Sequence, residues 1–506
     1  HHPPRTLREA CQWLAWYLMA TRIYNGNGSG GQLDELLRPY YEADLAAGRI
    51  DDDQAVWIIA SLLLADTHYH QLGGPDAEGG DQSSHVSRLI LRAAHWLDSP
   101  CNLTVRVHDG MDEAFFREAA GYLVGDRKGW PRFAGDKGLV EGFCRNGYSA
   151  QLARQRIAVG CHWMAVPGRE YTLNDVVKIN VARLFEVAFE EMMADESEEP
   201  SLDRLWTRFE AHLRRAVRCI AEGIDIHLAH QQHNLPELAL SLLCHGTLER
   251  GLDASAGGVE FYNMCVDGSG LATVADSFAA IDQRIEREGR VSYGELAEHL
   301  NDDFAGPAGR RVQLMMQSID RYGHGGSIGD RWARRVSELF TEIVHGDRTP
   351  GGRIMIPGWF SWSNTISMGR ACGATPNGRH AGRPISHGAN PDPGFRRDAA
   401  ATAMAAAIAS VQPGCGNTAP MQLELDPAVA DDHDAVDIVA ALIRAHFDLG
   451  GTLMNINILH ADRLREAHED PSRHPDLVVR VTGFTAYFAA LSPEFRQLVV
   501  DRLVTN

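Results

Sequence analysis

The pattern that most limits what this chain can become is a series of helical apolar repeats interrupted by isolated short pieces of alternating character. Over 6–23, 53–70, 86–97 and 173–193, apolar side chains return every three or four residues, as one buried helix face demands. Between them Asn102-Leu103-Thr104-Val105-Arg106-Val107-His108 alternates polar and apolar residues, and 453–460 does so less cleanly, which predicts half-buried strands. Long helices separated by single strands predict an α/β barrel or a wound sheet. The 506 residues suffice for about three domains or one large barrel.

The stretch 351–394 is dense in Gly, Pro, Asn and Ser, including Pro376-Asn377-Gly378-Arg379 and Asn390-Pro391-Asp392-Pro393-Gly394, residues that set turns. It exceeds the ~12–15 residues usual for a structureless loop, so it is functional or hides short elements. An Ala-rich helix is expected over 399–410. Lys plus Arg number 48 against 67 Asp plus Glu, a net charge of −19 that disfavours nucleic acid and anionic membranes. No apolar run approaches the ~20 residues of a membrane span. The chain opens His1-His2-Pro3-Pro4, without an initiator Met or a basic-then-apolar leader, so a reducing cytoplasm is expected. Nine cysteines lie far apart with no Cys-x-x-Cys, and no metal or iron–sulfur ligation is expected.

Two segments carry the candidate chemistry. In Ala158-Val159-Gly160-Cys161-His162-Trp163-Met164-Ala165-Val166-Pro167-Gly168 a cysteine stands between a β-like run and a Pro-Gly turn. That suits a loop tip where a thiol serves as nucleophile or radical carrier; a buried structural thiol is the plainer alternative. Near the C-terminus, Gly483 stands between the β-prone pieces Val478-Val479-Arg480-Val481-Thr482 and Phe484-Thr485-Ala486-Tyr487-Phe488. A tight turn with positive φ accounts for it. So does chemistry: a glycine Cα flanked by an amide nitrogen and a carbonyl gives, on losing a hydrogen, a planar radical stabilised from both sides.

Together the segments resemble the glycyl radical enzyme family, that of pyruvate formate-lyase and the radical dehydratases. Arg480-Val481-Thr482-Gly483-Phe484 is similar to its Arg-Val-Ser-Gly-Tyr signature, and Gly160-Cys161 with Pro167-Gly168 to its thiyl cysteine loop. Blocks at 30–41, 43–48, 73–81, 102–106, 274–281, 375–379 and 455–458 match in order. The resemblance implies a ten-stranded barrel ringed by helices with a C-terminal radical loop inserted in it. It divides the chain into a barrel domain, 1–395, and a glycine radical domain, 396–506, with part of the family's N-terminal region missing.

By the same resemblance Gly483 stores a radical and Cys161 becomes the thiyl that takes hydrogen from a small polar substrate, leading to C–C or C–X bond cleavage, a lyase reaction; a radical dehydratase, a decarboxylase and an alkene-adding synthase stay open within the class. No permanently bound cofactor is implied; the glycyl radical is a modification installed by a separate radical S-adenosylmethionine enzyme, since this chain lacks Cys-x-x-x-Cys-x-x-Cys. A homodimer is permitted. Dehydratases of the family carry Gly-Cys-Val-Glu-Pro, but Trp163 stands where their Glu does, and residue 160 is Gly rather than a second cysteine, which disfavours acetyl transfer to coenzyme A. His162, Trp163, Asp76, Asp81, Arg106 and His108 are the expected substrate-binding residues, each with a plain structural alternative: a core histidine, a packed indole, turn aspartates, an ion-paired arginine. Two other readings stay open, a catalytically silent barrel used for binding and a hydrolase using Asp76 and Asp81.

Overall fold

The structure is a computed structural model that describes residues 2–24, 29–173, 177–361, 364–396 and 400–503. Two sheets form the wall of a barrel. The first runs in the order Tyr69–Leu72, Asn102–Val107, Arg132–Gly135, Leu453–Ile458, Met421–Leu425, parallel except where Arg132–Gly135 meets Leu453–Ile458. The second is built on Phe261–Ser269. Glu170–Leu173 and Lys178–Asn180 lie along one of its sides and Met355–Trp359 along the other, all parallel. Among the described residues these sheets count five and four strands. One seam is closed by main-chain bonds from Asn417 N to Pro357 O (3.2 Å) and Trp359 N to Thr418 O (3.3 Å).

Parallel strands need long crossovers, and helices supply them. Asp52–Ala65 begins with a capping box between Asp51 and Gln54. Leu202–Asn234 keeps Leu205, Phe209, Leu213, Val217, Ala221, Ile224 and Leu228 on one buried stripe against Val181–Ala194. Two expected helices are shorter than the spacing predicts. The first stops at Ala65, and Tyr69–Leu72 is a strand; Asp66, at the turn, accepts from Arg22 (2.6 Å) and the His68 amide (2.9 Å). The second starts only at Val181, after two short strands. The expected helix at 399–410 is seen as Ala401–Ser410; residue 399 lies outside the described residues. Within 351–394 the hidden elements are the strand Met355–Trp359 and the helix Asn364–Arg370.

The strands are not half-buried, as alternation predicts: every residue of Asn102–Val107 and Leu453–Ile458 is buried. Their apolar residues join the main core. Their polar residues face a lumen that holds two hairpins, whose backbone amides and carbonyls all need partners. Four arginines, Arg106, Arg132, Arg156 and Arg480, are fully buried there, a placement charged side chains adopt only when well bonded.

Candidate active site

The first hairpin pairs Ile157–Val159 with Trp163–Ala165, Val159 opposite Trp163, and puts Cys161 at the tip. Gly160 takes φ +56°, and a Cβ on it would lie 2.5 Å from the Trp163 ring, so backbone and neighbour both require glycine. Both sheets hold this hairpin. From the first, Gln71 Oε1 accepts from Ala158 N (2.9 Å), and Arg132 donates to the carbonyls of Cys161 (2.5 Å) and Gly160 (2.7 Å) and to Thr104 Oγ1 (2.7 Å). From the second, Asn263 Nδ2 donates to Met164 O (3.0 Å).

The second hairpin pairs Val478–Arg480 with Thr485–Tyr487, and its tip closes through Val481 N to Phe484 O (2.9 Å). Its partners are amides from the first sheet. Asn457 accepts from Arg480 N (2.7 Å) and donates to Arg480 O (2.8 Å), Asn455 donates to Thr482 O (3.2 Å), and Asn102 accepts from Thr485 N (3.0 Å). Arg480 donates to the Gly483 carbonyl and to Thr485 Oγ1 (3.1 Å).

The tips touch. A Cβ built on Gly483 would lie 2.2 Å from Cys161 Cβ and 2.7 Å from its Sγ. A carbon–carbon bond is about 1.5 Å, so the Gly483 Cα is within about 4 Å of the sulfur. Gly483 lies outside the left-handed region, so the turn explanation of this glycine fails: the approach of Cys161 is what excludes a side chain.

Among the described residues neither Arg132 nor Arg480 has a carboxylate at ion-pairing distance. Burial, and then Arg480 beside it, pushes the Arg132 guanidinium down to about 9; burial likewise lowers that of Arg480. The sulfur has one more neighbour the sequence did not flag: the Tyr69 hydroxyl is 3.1 Å from Cys161 Sγ. On this side a cavity of about 710 Å³ opens, walled by Tyr69, Cys161, Trp163, Glu170 and Tyr171.

Of the expected substrate contacts, Trp163 lines that cavity, with its indole N–H buried and unpartnered among the described residues. His162 turns away from it, into the second sheet, with Nε2 2.9 Å from Asp267 Oδ2 and the ring stacked on Phe360 at 3.9 Å. Asp76 caps its own loop, accepting from Gly80 N (2.7 Å) and Glu78 N (3.0 Å). Asp81 accepts from Ser83 and from the Asp112 amide (2.9 Å) and meets His108 Nε2 at 3.1 Å; burial opposes its charge, but these bonds hold its carboxyl below the ordinary value. Arg106 pairs with Asp136 (2.5 Å) and donates to the carbonyls of Arg154 (3.1 Å) and Ala153 (3.3 Å), at the base of the cysteine hairpin. None of these last five residues lines the cavity at Cys161. His162, Cys265 and Asp267 bring three metal-ligating atoms within 4.8 Å of one another, a grouping that sequence spacing conceals; Lys178 Nζ, 3.8 Å from Asp267 Oδ2, supplies that carboxylate with a cation.

The family described as pyruvate formate lyase-like matches residues 1–369, and the glycine radical family matches 385–489. A probable dehydratase, YbiW, of Escherichia coli is 25% identical over 99% of this chain and 68% of its own length. The isethionate sulfite-lyase of Nitratidesulfovibrio vulgaris is 24% identical over 99% of this chain and 65% of its own, so the chain spans about two thirds of the curated relatives it matches. The fold is that of a solved structure from Roseburia inulinivorans concerned with 1,2-propanediol dehydration, with TM-score 0.92 and 23% identity over 99% of this chain and 68% of that one. With its two hairpins meeting in a barrel and both family matches in place, this chain belongs to the pyruvate formate lyase-like family of glycyl radical enzymes, whose members include lyases and dehydratases.

Proposed function

We propose that the chain is a radical lyase in which Gly483 stores the unpaired electron, Cys161 carries it to substrate, and the cavity beside Cys161 holds a small polar molecule. The observation that carries this reading is the contact between the two tips, since hydrogen-atom transfer requires near-contact and a fixed approach. Gly483 would take the thiol hydrogen, the thiyl would take a hydrogen from substrate carbon, and both would be returned after a bond to that carbon's neighbour breaks. Arg480 on the Gly483 carbonyl and Arg132 on the Cys161 carbonyl set the two backbones, and burial keeps water and oxygen from the radical.

Trp163 supplies an apolar wall where the dehydratases have a carboxylate, its own indole N–H being buried. This favours a substrate with a bond that breaks without an acid or base at that position. The radical is to be installed by a separate radical S-adenosylmethionine enzyme, and buried Gly483 must come out to meet it. The segment that would move is supported by its own small apolar cluster, Leu459, Leu464, Leu477, Val479, Val481, Phe488 and Val499, apart from the main core, so the moving unit is smaller than 396–506, whose first part supplies two strands of the wall. The free cysteines suit the reducing cytoplasm, and among the described residues no helix is long and apolar enough to cross a membrane.

Anaerobic activation followed by electron paramagnetic resonance tests the reading. A doublet from a glycine α-hydrogen is expected, as is cleavage of the chain at Gly483 on exposure to air; competent activation without a doublet refutes it.

A further inference from the structure

The Tyr69 phenol is a partner of Cys161 that the two-hairpin scheme does not use. Its hydroxyl stands 3.1 Å from Sγ, a hydrogen-bond distance for sulfur. It is held there: the Tyr69 carbonyl accepts from Gly30 N (2.8 Å) and Ser29 Oγ (3.0 Å), and its strand is in register with Asn102. The guanidinium of Arg132, which fixes the Cys161 carbonyl, also lies 5.2 Å from the centre of the Tyr69 ring, so one side chain positions both groups.

Resting on the radical reading above, we propose that Tyr69 is a third member of the hydrogen-atom relay, giving its O–H hydrogen to the Cys161 thiyl and taking it back. One O–H bond breaks and one S–H bond forms; the unpaired electron passes from sulfur to the phenoxyl oxygen, and the reverse step restores both. The two bonds have closely similar strengths, so the exchange runs either way. Proton and electron travel together, so no net charge is created in a buried site, where a lone charge is costly. Loss of the proton alone is opposed: burial first, then the neighbouring Cys161, raises the ionisation of Tyr69 well above its ordinary value. A cation over the ring favours the electron-rich phenol over the phenoxyl, which keeps most of the spin on glycine and sulfur. Because Tyr69 also lines the cavity, spin on its ring would reach the substrate chamber.

The test replaces Tyr69 with 3-aminotyrosine, whose weaker O–H bond traps the radical, and activates the protein anaerobically. An aminotyrosyl signal growing at the expense of the glycyl doublet is expected, and Cys161→Ala in the same background should abolish it while leaving the doublet. A doublet with no aminotyrosyl signal, or one that survives Cys161→Ala, overturns the relay and leaves the radical reading standing. No doublet in the unsubstituted protein overturns both. Tyr69→Phe, which keeps the ring's packing, should retain the doublet; its loss would assign Tyr69 a structural part instead.

Discussion

The two hairpins meet at one point but are secured differently. The cysteine hairpin is bonded to both sheets and seated on a buried arginine, so moving it would open the barrel. The glycine hairpin hangs on amides from the first sheet and belongs to a segment with its own apolar cluster, so its bonds can be released together without disturbing the main core. In a relay of this kind the sulfur has to stay fixed beside the substrate, whereas the glycine has to be reachable from outside.

The largest expected effect separates the tips by spin. Cys161→Ala and Gly483→Ala should each lower turnover by more than about 10³-fold, but the first should keep the glycyl doublet and the second lose it, its new Cβ colliding with Cys161. A doublet in Gly483→Ala would place the radical elsewhere. Gly160→Ala comes next: it forces a left-handed alanine against the Trp163 ring and shifts the sulfur, so the rate should fall roughly 10²-fold with the doublet kept. An unchanged rate would mean the cysteine hairpin is not the rigid partner.

Asn457→Ala removes both bonds to the Arg480 backbone. A loss of about 1–3 kcal/mol is expected locally, read as roughly ten- to hundredfold faster amide exchange over 478–487 with 157–165 unaffected. Equal acceleration in both hairpins would erase the distinction drawn here. The last effect concerns the frame that carries both. Burial lowers the His446 imidazole from 6.5 to about 4 while its ring bonds the Ala405 carbonyl. Between pH 6.5 and 4 the unfolded chain therefore binds a proton that the folded one refuses, and stability falls on acidification by up to about 1.4 kcal/mol per pH unit. His446→Gln should remove that part of the slope in denaturant titrations; an undiminished slope would show that His446 is not its source.

The contact of Cys161 with Gly483 was legible only through the family resemblance that the short motifs around each residue carry. The lumen was not. Alternation in 102–107 and 453–458 marks two faces but does not say that the polar one points inward, and Asn102 bonds a backbone 383 residues away, at Thr485. Arg132 and Tyr69 gave no motif, since their contacts with the cysteine tip are set by strand order and not by neighbours in sequence. His162 was read from its place beside the cysteine, yet at the turn its ring points into the second sheet, where it meets Asp267.

The cavity is lined by Cys161 and by no residue of the glycine tip, and it sits against 29–31 and 157–173. Under the proposed function, substrate and stored spin would lie on opposite sides of one sulfur atom. In that arrangement the wall of the chamber could be reshaped without touching the opposite side, where a single methyl is too much.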